Sequence, residues 1–423
     1  MRSLYSFRPR IESLEDRAVP ATISVLSGQL FVSNPSGDLT ITTLGGGQVK
    51  VEDNGSSVTV SGVGTAINIT GSNKADVINF DASIAFPGRV QISGGNGNDE
   101  INLKGTIGGN LTVLGGLGDD VITIVDDLAV GGNFISSDTA GANDIVFEAD
   151  LAVGGSFTAS GVRDFAVDVN SLTVGGGLTV SAVTSGAGLN VSAAAGSLFS
   201  VGKALSLTGN ASADTVSLEG EIQVGGNTTI NLAAGDNTAV ITPDTLSTFS
   251  GSFRYTGTSG VDDVTVDEDV VLAGATTIAL GEGENVLTIG TAAGFSANGS
   301  VAVTVGNGDN NSLTFGGDGV FNSTVNVTIG NGDNNTTTFD SAPAGRLTYR
   351  SGNGEGNVLA LTSGDVLINA TFGTGLAVAS NTLDLTGLTT LSGIVRGSNN
   401  PGANVLIQDT ADLVDITFIG FPS

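Results

Sequence analysis

One kind of turn residue returns at one phase along almost the whole chain. Asp or Asn followed by alternating apolar residues appears as Asp76-VINF, Asp99-EINL, Asp120-VITI, Asp144-IVFE, Asn190-VSA, Asp214-TVSL and Asp263-VTV. It continues as Asn285-VLTI, Asn311-SLTF, Asn335-TTTF, Asn357-VLAL, Asn381-TLDL and Asn404-VLIQ, with weaker members near Asp164 and Asn237. The spacing is about 23 residues. A second marker keeps step: a Gly before another strand, as in Gly88-RVQI, Gly109-NLTV, Gly155-SFTA, Gly226-NTTI and Gly274-ATTI. Each repeat thus reads as two short strands and two turns.

A β-sandwich also spaces its strands near 12 residues. It does not need the same turn residue at one phase in consecutive units. Coils stacked about 4.7–4.9 Å apart do, because equivalent side chains then lie directly over one another. The expected fold is all-β: a right-handed parallel β-helix of about fifteen coils, about 23 residues each. Composition agrees: 65 Gly, 5% aromatic and 13% charged residues are strand-and-turn chemistry with few helix formers.

Three segments are expected. Residues 71–423 form the solenoid. Residues 23–70 are off-register and read as a β-rich antiparallel cap covering an exposed end. Within it, Val49-KVED-NG-SS-VTVS and Gln29-LFVS-NPSG-DLTITT read as hairpins, the first around Asn54-Gly55. Residues 1–22 are basic, lack the apolar run of an ordinary signal peptide, and read as a tail outside the fold.

That tail carries Arg8, Pro9, Arg10, Glu12, Leu14, Glu15, Asp16, Arg17, Val19, Pro20 and Ala21 in one block. The block resembles the LEDR-x-VPA N-terminal segment of large exported surface proteins of planctomycete bacteria. The resemblance covers about 5% of the chain and implies export or placement at the cell surface. It implies no chemistry.

The net charge of −28 repels nucleic acid and anionic membranes and suits divalent cations or cationic partners. Cys, His and Trp are all absent. Disulfides, the commonest transition-metal ligands, the commonest general base and the best sugar-stacking ring are therefore excluded. No stretch reaches the length of a transmembrane helix.

Three chemistries remain. Gly94-GNGNDEIN and Gly115-GLGDDVIT match G-G-x-G-x-D-x-U-x and resemble the calcium-binding nonapeptides of RTX repeats. The two lie 21 residues apart, one per coil, rather than in tandem. The implied Ca²⁺ ligands are Asp99, Asp119 and Asp120, then Asp309 and Asp333 in the two GNGDNN loops, with Glu284 and Glu355 continuing a carboxylate column. Alternatively, Gly and Asp are simply turn formers here. Polysaccharide cleavage of lyase or glycosidase type needs carboxylates converging with Lys or Arg in a cleft; the few cations are scattered and the repeat is unbroken. Finally, Thr112, Thr158, Thr179, Ser206, Thr277 and Thr348 read as an outward hydroxyl row, which ordinary cross-strand pairing explains. The expected function is a non-catalytic structural or adhesive module, secreted or at the cell surface, contacting extracellular matrix, glycan or cell envelope.

Overall fold

The computed structural model describes residues 21–138, 140–141, 143–167, 171–182, 188–373, 380–397, 404–408 and 412–421. Residues 1–20, most of the basic tail, lie outside them. The described part of the tail belongs to the fold: the buried Ala21 donates its N–H to Asp53 Oδ2 at 2.7 Å, and Thr22 opens the first strand, Thr22–Leu26.

The chain winds into a parallel β-solenoid of about 14 turns at a spacing of about 23 residues. Three parallel ladders run along it. One carries the Gly-led strands, such as Leu205–Thr208, Thr228–Ala234 and Phe253–Ser259. A second carries the Asp- or Asn-led strands, such as Val286–Ile289, Ser312–Phe315 and Thr336–Phe339. The third was not anticipated. It is made of short strands such as Leu151–Val153, Ser171–Val174, Leu198–Val201 and Glu221–Val224. A coil is therefore three strands and three corners, not two of each. The third strand occupies the Leu-x-Val that runs into the Gly pair of the corner, as in Leu128-AV-GG and Leu172-TV-GG.

Strand alternation sends every second side chain inward. Val216 and Leu218, Leu287 and Ile289, and Leu313 and Phe315 are all fully buried. Parallel, in-register pairing places like over like. Phe134 pairs with Phe157 and their rings stack at 4.4 Å and 2°; Phe315 and Phe339 do so at 4.5 Å and 7°. Each such ring contributes on the order of 3 kcal/mol by burial.

The N-terminal end departs from the expected cap. The Asn54-Gly55 hairpin is present, joining Gln48–Asp53 to Ser56–Ser61. The second expected hairpin is not. Gln29–Ser33 and Leu39–Gly45 do not pair with each other; they pair in parallel with Ala66–Thr70 and Val77–Phe86. Residues 29–45 are thus already the first coil, and the solenoid begins well before Gly71. The antiparallel covering is Thr22–Leu26 on Gln29–Ser33, with Gln48–Asp53 on Leu39–Gly45. Val49 and Val51 turn inward from it and close the end of the core.

Candidate functional site

The Asp- or Asn-led strand begins at a corner, and its first inward residue is polar. The column runs Asp76, Asp99, Asp120, Asn143, then Asp214, Asn237, Asp262, Asn285, Asn311, Asn335, Asn357, Asn381 and Asn404, every one buried. The inward residue is Asn143 rather than Asp144 and Asp262 rather than Asp263, because Asn143 and Asp262 share the parity of the buried Ile145 and Val264. At Asn190 the inward position is again one residue earlier: Leu189 is buried and Asn190 exposed.

These side chains bond from coil to coil in one direction. In most coils the Oδ1 accepts the backbone N–H of its counterpart one coil earlier; Asp262 Oδ1 instead takes Tyr255 Oη and Asn237 Nδ2, and both side-chain atoms of Asn143 stand buried without a partner. Asn285 N–H reaches Asn311 Oδ1 at 2.8 Å, Asn311 reaches Asn335 at 3.0 Å, and Asn335 reaches Asn357 at 3.1 Å. The amide nitrogen is used too. Asn335 Nδ2 donates to the Gly332 carbonyl at 2.7 Å and to Asn357 Oδ1 at 2.9 Å. Asparagine fits because it carries both an acceptor and two donors.

Aspartate has only acceptors when ionised, so its second oxygen needs a donor from elsewhere. Asp262 has three donors: Tyr255 Oη at 2.9 Å, Asn237 Nδ2 at 3.0 Å and Gly281 N–H at 3.1 Å. Asp214 takes the N–H of Leu189 and of Asn210, one on each oxygen. Asp76 takes the hydroxyl and N–H of Ser72. Asp99 and Asp120 differ. Each accepts one N–H, Asp76 to Asp99 Oδ1 and Asp99 to Asp120 Oδ1, both at 2.8 Å, and each leaves Oδ2 buried without a partner.

The glycines of the two G-G-x-G-x-D loops follow from this. A Cβ on Gly94 would stand 2.2 Å from Asp99 Oδ2, and one on Gly115 would stand 2.2 Å from Asp120 Oδ2. The first Gly of each loop is the floor beneath an inward carboxyl.

Of the five residues expected to bind Ca²⁺, Asp99 and Asp120 meet one coil apart, and so do Asp309 and Asp333. Asp99 and Asp120 face the core at 2% and 1% exposure, while their neighbour Asp119 is exposed on the outside. Asp309 and Asp333 are exposed on a different stretch of the rod. They do form an outer column: Asp309 Oδ1 accepts the Asp333 N–H, and Asp333 Oδ1 accepts the Glu355 N–H, each at 2.7 Å. Glu284 meets Asn310 Nδ2 of the following coil at 3.2 Å. Among the described residues no group of three or more acidic side chains is arranged to hold a metal ion.

Burial dominates the electrostatics of the inner column. It pushes the Asp99 carboxyl up to about 6, against the pull of the Asp76 N–H, with repulsion from Asp76 adding to it. It pushes Asp120 up to about 7, with repulsion from Asp138, Asp99 and Asp119 in the same sense. Asp214 is raised by burial as well.

Cations meet carboxylates at two places on the outer faces. Lys104 pairs with Asp81 at 3.2 Å in a shallow depression beside Asn79, Asn102 and Val125. Arg163 bridges Asp144 and Asp164. The hydroxyl row is also real as a row, since Thr158 pairs with Thr179 and Thr179 with Ser206. Ile135, Arg254 and Ala302 interrupt it.

No protein-family model and no curated protein matches the chain. No helix among the described residues is long and apolar enough to cross a membrane.

Proposed function

We propose that the chain is a non-catalytic structural or adhesive rod of the cell surface or extracellular space. The observation that carries this reading is the continuity of the repeat. Among the described residues the apolar columns run from coil to coil without an inserted loop that would build a deep cleft, and the polar corner column gives way to an apolar residue at Val162 and Leu189. Enzymes that cut polysaccharides need such a cleft, with acid, base and cation converging on one sugar. The Lys104–Asp81 and Arg163–Asp144 pairs are surface ion pairs instead.

Two features of the sequence support the location. The N-terminal block resembles an export-associated segment, and a net charge of −28 keeps a long rod soluble and away from nucleic acid. Contacts with matrix, glycan or cell envelope are the partners this reading implies. A calcium contribution, if made, would fall at the two G-G-x-G-x-D corners with Asp99, Asp119 and Asp120, or on the outer column at Asp309 and Asp333.

The test has two arms. Purified protein is incubated with neutral and acidic polysaccharides, and new chain ends are measured. It is also sedimented with isolated cell envelopes. The reading expects co-sedimentation and no new chain ends. Cleavage of any polysaccharide would replace it with the enzymatic alternative.

A further inference from the structure

We propose that the outer face of the Asp- or Asn-led ladder, from Asn190 to Phe339, is an ice-binding surface. Two outward rows build it. In-register parallel pairing stacks Ser192, Ser217, Val240, Thr265, Thr288, Thr314 and Thr338 in one row. The row beside it, two residues earlier on each strand, is Asn190, Thr215, Thr238, Asp263, Val286, Ser312 and Thr336. Each of these seven coils presents at least one Ser or Thr, and Thr265 to Thr338 is an unbroken run of four threonines. The hydroxyl row of the Gly-led ladder has no such run in these coils, since Arg254 and Ala302 interrupt it.

The face is regular and held from behind. Pairing from Asn190–Ala193 through Thr336–Phe339 runs without a register shift, whereas the same ladder slips in earlier coils near Ile124 and Asn143. Beneath the threonines, Asn285, Asn311 and Asn335 tie each coil to the next, and the rings of Phe315 and Phe339 stack. Side-chain ladders of this kind keep a long sheet flat. Threonine is stiff at χ1, so its methyl and hydroxyl keep their places. The outcome is a grid of about 4.8 Å along the rod and about 6.6 Å across it. Both spacings lie near those between oxygen rows on the prism faces of ice. A surface already rigid loses little freedom on meeting a crystal.

The chemistry of the face suits ordered water. The hydroxyls of Thr265, Thr288, Thr314 and Thr338 have no hydrogen-bond partner among the described residues. Each keeps one donor and two acceptors for water outside, with a methyl beside it. Asp263 is the sole charged side chain in the two rows, although the chain carries a net charge of −28. The acidic Glu284, Asp309 and Asp333 of these coils stand at the corner, off the face. Neither row holds an aromatic ring on which a sugar could stack, which favours ice over a polysaccharide. The inference concerns this face alone and does not rest on where the rod is placed.

The test uses the full chain, its T288Y/T314Y variant and a T277Y control at an exposed position of the Gly-led ladder. Tyrosine suits a strand, so each variant should fold, and melting temperatures verify it. Fluorescently labelled protein is offered to a single growing ice crystal, and the coarsening of ice grains is followed in a frozen sucrose film. Wild type and T277Y should coat the crystal and suppress coarsening; T288Y/T314Y should lose both. Should that variant fail to fold, S312Y, at an exposed position of the same face, takes its place.

Wild-type protein that stays in the liquid overturns the proposal, as does an equal loss in T277Y. Adsorption to crystalline cellulose or chitin that T288Y/T314Y abolishes, with ice left uncoated by the wild type, would make the face a glycan surface instead. A dimer in sedimentation that T288Y/T314Y breaks would assign the face to a second copy of the chain.

Discussion

The phenol of Tyr255 donates to Oδ1 of Asp262 at 2.9 Å, seven residues along the same coil and wholly inside the core. The bond ties a residue of the Gly-led strand to the corner column, and the Asp262 carboxylate that receives it raises the Tyr255 phenol further above its ordinary range, burial being the larger cause. Tyr255→Phe keeps the ring and removes one of three donors to a buried carboxylate. The expected cost is about 1.5–3 kcal/mol. Chemical denaturation of the two proteins measures it, and faster exchange at the Gly281 amide, which donates to Asp262 Oδ2, should accompany it.

Gly115→Ala should be among the most damaging small substitutions. The new Cβ meets Asp120 Oδ2 at 2.2 Å and Asn143 Oδ1 at 2.9 Å, both on buried side chains that must shift to admit it. A loss of about 1–3 kcal/mol is expected from overpacking. Gly64→Ala is the control: nothing lies within 4 Å of its Cβ, so its change should stay within about 0.5 kcal/mol. Equal melting temperatures for the two variants would refute the role given to Gly115.

Asn335 tests the column where it is wholly amide. Its Oδ1 accepts from the Asn311 backbone and side chain, and its Nδ2 donates to Gly332 and Asn357. Asn335→Ala strands those partners and should cost on the order of 3 kcal/mol. Asn335→Asp keeps the acceptor and loses the donor. A carboxylate there faces the Gly332 carbonyl and the Asn357 carbonyl oxygen, so its folded pKa should rise. The Asp variant should therefore be close to wild type at acid pH and lose stability as pH rises through the carboxylate range. Melting curves at several pH values separate the two variants.

The outer carboxylates should behave in the opposite way. Asp309, Asp333 and Glu355 stack one coil apart in water, where like charges repel weakly and salt screens them. Changing Asp309 and Asp333 to Asn keeps the oxygen that accepts the next coil's N–H and removes the repulsion. A gain of about 0.5 kcal/mol at low salt, shrinking as sodium chloride is added, is expected. At the two G-G-x-G-x-D corners, Ca²⁺ should do no more than sodium at equal ionic strength, since Asp99 and Asp120 face away from Asp119. A calcium-specific rise in melting temperature that D119N abolishes would contradict this.

Much of the architecture was legible because in-register stacking demands the same residue type at the same phase. Asn311, Asn335 and Asn357 advertise their shared place 24 and 22 residues apart. The third strand was harder to see: at Leu151–Val153 it is three residues long and merges with its Gly corner. Gln29–Ser33 and Leu39–Gly45 looked like a hairpin because a short polar link reads alike whether the chain reverses or turns a corner. The inward direction of Asp99 is legible in the sequence from parity alone. Residues 99, 101 and 103 share one parity, as do 120, 122 and 124, and the burial of Ile101, Leu103, Ile122 and Ile124 carries the two aspartates inward with them.

The corner column also bears on what happens when the rod is pulled. One coil, such as the 24 residues from Asn311 to Asn335, occupies only about 4.8 Å of the long axis. The same residues drawn out extend about 80 Å. Losing a single coil from one end therefore pays out many times the length it held, while the remaining coils stay paired. Under shear, such a tether yields in steps and keeps its grip. Corner asparagines such as Asn285, Asn311 and Asn335, joined to the next coil by backbone and side chain together, resist each step.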